Sequence, residues 1–113
     1  MEKSVMYEKQ GRGVIAELAV HSDLIKQGYE VYSDAGQGLV DLVAIHPTSG
    51  KIRFLEVKCV ARRADGSRIN RMLKPHQKEW EAASGNLIEM AYADVETEGY
   101  PITYPERRRK IGA

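Results

Sequence analysis

The chain holds one cysteine in 113 residues, Cys59, so no internal disulfide can form. That excludes a small secreted scaffold stapled by bridges and suits a reducing compartment. No run approaches the roughly 20 apolar residues of a membrane span. The opening residues, MEKSVMYEKQGRG, put charges where a signal peptide needs its apolar region. The expected location is therefore cytoplasmic, without a membrane partner. Charge of one sign is missing too: 17 Lys and Arg against 16 Asp and Glu leave a formal +1, and that balance names no partner. What is present is 42% hydrophobic residues, enough for one modest core. With no repeats, low-complexity tracts or internal linkers, residues 1–113 read as a single domain, with 94–113 as a mobile basic tail.

From Gly13 to Gly28, Val14, Leu18, Leu24 and Ile25 recur at helical spacing, and Gly28 is placed to end the helix. At about 100° per residue, Val14, Leu18, Val20, Leu24 and Ile25 share one arc, with Ala16, Ala19, Asp23, Lys26 and Gln27 opposite. Residues 29–32 alternate like a short strand, and 33–38 supply turn residues. The near-continuous apolar run 39–45 reads as a central strand buried on both faces. A tight connection at 47–51 leads into 52–60, so the two strands pair as a hairpin. Residues 61–73 lack periodicity and read as a basic loop. Pro75 and Gly85 bracket a second helix, PHQKEWEAAS, with Trp80 and Ala83 on its inner face. A further strand covers 86–93. The order helix, strands, helix, strand predicts an α/β fold with a small mixed sheet flanked by helices.

The chemistry gathers on the stretch FLEVKCV, 54–60. Strand alternation sends Phe54, Glu56 and Lys58 to one face and Leu55, Val57 and Cys59 to the other. The hairpin brings Asp41 onto the same sheet. Two close carboxylates repel unless a cation joins them, and an oxygen-only donor set favours a hard ion such as Mg²⁺. Lys58 then stands beside the site, able to orient or deprotonate a water. Glu17 and His21 fall inside the apolar arc of the first helix; an acid facing a core needs a partner or a polar pocket, so Glu17 is a candidate member of the site, with His21 one turn on. Each feature has a structural alternative: an ion pair for Glu56 and Lys58, a turn cap for Asp41, a packed histidine for His21, a helix-surface amide for Gln77, an inert buried thiol for Cys59.

The order Glu17, Asp41, Glu56-Val57-Lys58, Gln77 resembles the PD-(D/E)xK nuclease superfamily. The proline of that motif is absent, since Val40 precedes Asp41. GVIAELAVHSDLIKQGYEVY is similar to the family's leading helix and strand, and GLVDLVAI with IRFLEVKC to its catalytic hairpin. LKPHQKEW resembles the following helix of virus-type replication-repair nucleases and archaeal Holliday junction resolvases. The resemblance runs from about Gly11 to Ala93 and implies a restriction-endonuclease-like core. It also implies a DNA endonuclease that uses Mg²⁺ or Mn²⁺. By that likeness the catalytic residues are Glu17, Asp41, Glu56, Lys58 and Gln77, and the metal is held by Asp41, Glu56, the Val57 carbonyl and Glu17. Lys58 would position the attacking water, and Gln77 would brace Lys58 or the scissile phosphate.

A basic set beside the proposed metal site, Arg62, Arg63, Arg68, Arg71 and Lys74, is placed to draw DNA phosphates, and Arg107–Lys110 adds a second cluster. Substrate readings within the family are a structure-specific nuclease acting on Holliday junctions or branched DNA in repair or recombination, and a sequence-specific homing or restriction-type enzyme. Either suits a phage or mobile element, and a domain this small needs a homodimer or higher assembly for symmetric cutting. From another class comes a non-catalytic nucleic-acid-binding module in which Asp41, Glu56 and Lys58 are a structural ion network.

Overall fold

A computed structural model describes residues 5–33, 38–67 and 73–105, with side chains from residue 11 onward. The elements are α1 (Val5–Lys26), β1 (Glu30–Ser33), β2 (Leu42–Ile45), β3 (Ile52–Cys59), α2 (Pro75–Ser84), β4 (Ile88–Ala93) and β5 (Ile102–Thr103). They form a five-stranded sheet in the order β1-β2-β3-β4-β5. All neighbours are antiparallel except β3 and β4, which run parallel and are joined through α2. The fold is therefore α/β, a mixed sheet between helices, as the order of elements predicts.

Local chemistry sets the boundaries. Gly28 at φ 96° ends α1, and a Cβ there would lie 3.2 Å from His46 Nε2, so the turn has little room for another residue type. Pro75 opens α2, and Gly85, at φ 91°, closes it with its N–H on the Glu81 carbonyl. In the β2–β3 connection, the His46 N–H donates to the Lys51 carbonyl at 2.9 Å.

The inner face of α1 differs from the predicted arc. Ala16, Val20 and Leu24, one turn apart, lie against Leu42, Ala44, Leu55, Ala91 and Ala93, while Val14, Leu18 and Ile25 are 57, 63 and 54% exposed. The floor that the sheet offers is largely alanine. A helix settles closest with its own small residue, Ala16, turned inward, and a wheel that ranks side chains by hydrophobicity puts the larger ones there instead. Each fully buried Val or Leu of this interface contributes ~1.5–3 kcal/mol.

Two further expectations are corrected. The strand predicted over 39–45 begins at Leu42, and its burial alternates: Leu42 and Ala44 are closed off, Val43 and Ile45 only half so. It is β3, not β2, that stands mid-sheet, which is why one face of β2 suffices for the core. The inner face of α2 is polar, with Gln77 2% and Glu81 4% exposed; Trp80 is half-buried and meets Phe54 edge-on at 5.5 Å, and Ala83 is exposed. Within the segment read as a tail, Ile102 and Thr103 pair with β4, and Val95, Ile102 and Tyr104 pack on the core. Arg107–Lys110 lie outside the described residues.

Candidate active site

The side chains of β3 divide as its alternation predicts. Leu55, Val57 and Cys59 turn to the α1 side, and Cys59 is half-buried with its thiol 3.4 Å from the Arg12 carbonyl. Phe54 and Glu56 turn to α2. Asp41 sits in the bend just before β2, where its N–H donates to the Leu55 carbonyl at 3.0 Å and its Oδ2 accepts the Val57 N–H at 2.7 Å. Those bonds bring the carboxyl toward Glu56 on β3, close enough for each acid to shift the other's ionisation.

Gln77 fixes this arrangement from α2. Its Nε2 donates to Glu56 Oε2 at 2.8 Å and to the Leu39 carbonyl at 2.9 Å, and its Oε1 accepts the Lys74 N–H at 2.8 Å. Both amide hydrogens are thereby committed. The side chain ties Glu56, the bend that carries Asp41 and the first turn of α2 into one unit; it braces Glu56 where the sequence suggested Lys58 or a phosphate. Lys58 Nζ lies 3.6 Å from Glu56 Oε2, with a quarter of its side chain exposed.

The electrostatics follow from burial and partners. Burial pushes Asp41 up to about 7, helped by its hydrogen bond to Glu56 and by the charges of Glu56 and Glu17. Burial also opposes charge on Glu56, yet the hydrogen bonds from Asp41 and Gln77 and the charges of Lys58 and Lys74 outweigh it and hold Glu56 below the usual carboxylate range. Below about pH 7 the pair thus holds one shared proton, resident on Asp41.

Glu17, on α1, is half-buried and close enough to raise Asp41, and it lines a recess of about 230 Å³ with Val14, Leu18, His21 and Ser33. Among the described residues, no three His, Cys, Asp or Glu side chains converge as ligands, so Glu17 stands back from the pair. A divalent ion has Asp41, Glu56 and the backbone at Val57 within one small region. The two carboxylates are oxygen donors of the kind a hard divalent ion takes, and they would share it with backbone or water oxygens, since they alone do not make a full ligand set.

On the basic side, Arg62 and Arg63 are exposed on a turn closed by Arg63 N–H to the Ser67 carbonyl at 2.8 Å and pinned by Asp65. Arg62 also lies 3.9 Å from Asp94, so its charge is partly answered. Lys74 is exposed at the start of α2. Arg68 and Arg71 lie outside the described residues. The roles of the Leu39 carbonyl and the Val57 N–H are backbone contacts, for which the sequence carries no signal.

No protein-family model matches the chain, and no curated protein matches it significantly. Among solved structures, a bacterial homing endonuclease is similar at a TM-score of 0.58, with 18% identity over 84% of this chain and 68% of that one. At that identity the likeness establishes the fold, a mixed α/β sheet of the kind that nuclease has.

Proposed function

We propose that the chain is a divalent-metal-dependent DNA endonuclease of the PD-(D/E)xK type, acting on phosphodiester bonds at Asp41 and Glu56. The observation that carries this reading is the pairing of half-buried Asp41 with buried Glu56. It is locked by Gln77 and flanked by Lys58, on a fold similar to a homing endonuclease. Asp41, Glu56 and the Val57 carbonyl would hold Mg²⁺ or Mn²⁺, with Glu17 behind them on α1. When bound, the ion supplies Lewis acidity and lowers the pKa of water at the site. To hold the ion, Asp41 would have to be ionised, its proton passing to solvent. Lys58, kept near the pair by Glu56, orients the attacking water and balances negative charge as the phosphate is attacked. Gln77 acts through Glu56, as a positioning residue. Arg62, Arg63 and Lys74, with Arg68 and Arg71, draw the DNA backbone toward the carboxylates.

Of the two substrate readings, duplex cutting of the homing type takes support from the structural likeness, and the junction-directed reading rests on the sequence resemblance alone. Either form of two-strand cutting requires a second copy of the site, so the active form is a homodimer or higher assembly. A mobile-element setting accords with the homing reading, and no helix among the described residues is long and apolar enough to cross a membrane.

The test is incubation of the purified chain with labelled duplex, flap and four-way junction DNA, with RNA counterparts, in Mg²⁺, in Mn²⁺ and in chelator, beside Asp41→Asn. Metal-dependent cutting that the variant lacks is the expected result. Binding without cutting in any metal favours the non-catalytic module, and cutting retained by Asp41→Asn removes the assigned site.

A further inference from the structure

The outer face of α1 carries the largest group of exposed apolar side chains on one element: Val14 57%, Ile15 38%, Leu18 63% and Ile25 54%. Their spacing is informative. Gly11, Val14, Leu18, His21 and Ile25 follow one another at intervals of three, four, three and four, the period of a seam that a second helix lies along. Strands and loops do not read that period. A groove borders each side of the stripe. One, of about 540 Å³, runs between α1 (Ile15, Ala19, Ser22) and the Gly99–Ile102 segment; the other is the recess of about 230 Å³ beside His21 and Ser33. Leu18 stands between the two and lines both. A protruding ridge and its receiving grooves on a single patch can be satisfied by a two-fold copy of that same patch.

We infer that α1 is a homodimer interface, in which the α1 helices of two copies pack antiparallel along this seam. Val14 of one copy then faces Ile25 of the other, and Leu18 faces His21, with the two-fold axis between them. The parallel alternative stacks His21 on His21 and aligns the helix dipoles unfavourably. The 11–26 segment is about 24 Å long at 1.5 Å per residue. With a groove on each side it offers an area on the order of the ~800 Å² per partner of a standard interface.

Other occupants fit less well. The stripe itself carries no Lys or Arg to hold a phosphate, so it is not a DNA face. Tyr104, bound to Asp23 at 2.6 Å, leads toward the chain's last residues, ERRRKIGA, but these offer four basic side chains and a single large apolar one to a seam of four. The inference stands apart from the cleavage chemistry, since an inactive Asp41→Asn chain should dimerise equally.

Sedimentation equilibrium across roughly 1 to 100 µM tests it, a span of about two decades around ordinary interface affinities. The intact chain should run at twice 12.7 kDa. Leu18→Glu should weaken association by about 100-fold or more, because a symmetric interface loses the contact twice, with an unchanged far-UV spectrum. Leu18→Met and removal of residues 106–113 should both leave the dimer. Oxidising an equal mixture of V14C and I25C chains should give mainly the mixed disulfide. A monomer throughout, a Leu18→Glu dimer as tight as the parent, or dimers lost with the tail would overturn the interface. V14C chains linking as readily to one another would overturn its direction.

Discussion

The sheet holds two buried polar clusters, and they are balanced differently. On the α1 side, Arg53 is 9% exposed yet fully answered: Glu89 grips its guanidinium at 2.8 and 2.9 Å, Gln27 adds a bond at 3.3 Å, and the rings of Tyr29 and Tyr104 sit 5.3 and 5.1 Å from it. The Tyr104 hydroxyl donates to Asp23 at 2.6 Å, which fastens the segment after β5 to α1, and burial together with Asp23 pushes its pKa up. On the α2 side, two acids meet, and among the described residues the cation paired with them is Lys58, at 3.6 Å from Glu56. A matched cluster rigidifies; one with surplus negative charge is stable only with a proton or a cation in it. The matched cluster reads as structural, and the unbalanced one is where the proposed cleavage chemistry sits, since activity and stability compete at such sites.

That contrast can be broken from either side. The largest expected effect is on cleavage: Asp41→Asn, which keeps an acceptor for the Val57 N–H and a donor for Glu56, should lower the cleavage rate ~10³-fold, or ~4 kcal/mol of barrier, while the metal-free protein melts no lower than the parent. A clear drop in melting temperature would show that Asp41 belongs to an ion network after all. Arg53→Ala should do the reverse. Removing the answered cation should cost about 2–3 kcal/mol in chemical denaturation, less than a fully buried pair because Glu89 keeps some access to water. Cleavage per folded molecule should hold, and a loss of activity without loss of stability would remove the distinction between the clusters.

A subtler effect comes from pH. Between about pH 4 and 7 the native Asp41 keeps a proton that the unfolded chain has released, so metal-free stability should fall as pH rises through that window and level off above it. The shift allows up to ~4 kcal/mol, which solvent screening at a half-buried carboxyl reduces to about 1–2 kcal/mol. Glu56, held below its usual range, acts with the opposite sign and only at more acid pH. Denaturant midpoints that are flat over this window in the parent, or that slope equally in Asp41→Asn, would contradict the shared proton. The smallest effect belongs to the rim. Neutralising Arg62 and Arg63 together should lower the salt slope of DNA binding by about one to two units and leave metal binding intact; an unchanged slope would take that turn out of the interface.

Much of this was legible in the residues and some was not, for reasons that particular positions make plain. Pro75, Gly85 and Gly28 punctuate the helices through backbone chemistry that is local, so those ends could be read. The alternation of β3 is equally local, and it separates Glu56 from Cys59 without reference to any partner. The face that α1 buries depends on what lies beneath it, and an alanine floor contributed by β2 and β4 is a long-range fact. Ile102 and Thr103 make a strand too short to carry a pattern. Gln77 could be picked out, but not its partners: the Leu39 carbonyl and the Lys74 N–H are backbone groups, the same in every sequence.

A divalent ion that binds at Asp41 should displace the proton that this acid shares with Glu56. Calorimetric titration of Mn²⁺ or Mg²⁺ into the metal-free chain near pH 6, in two buffers of different ionisation enthalpy, counts it directly. Release approaching one proton per ion, shrinking by pH 8 and absent with binding itself in Asp41→Asn, is the predicted result. Binding that releases no proton, or that persists undiminished in Asp41→Asn, would contradict it.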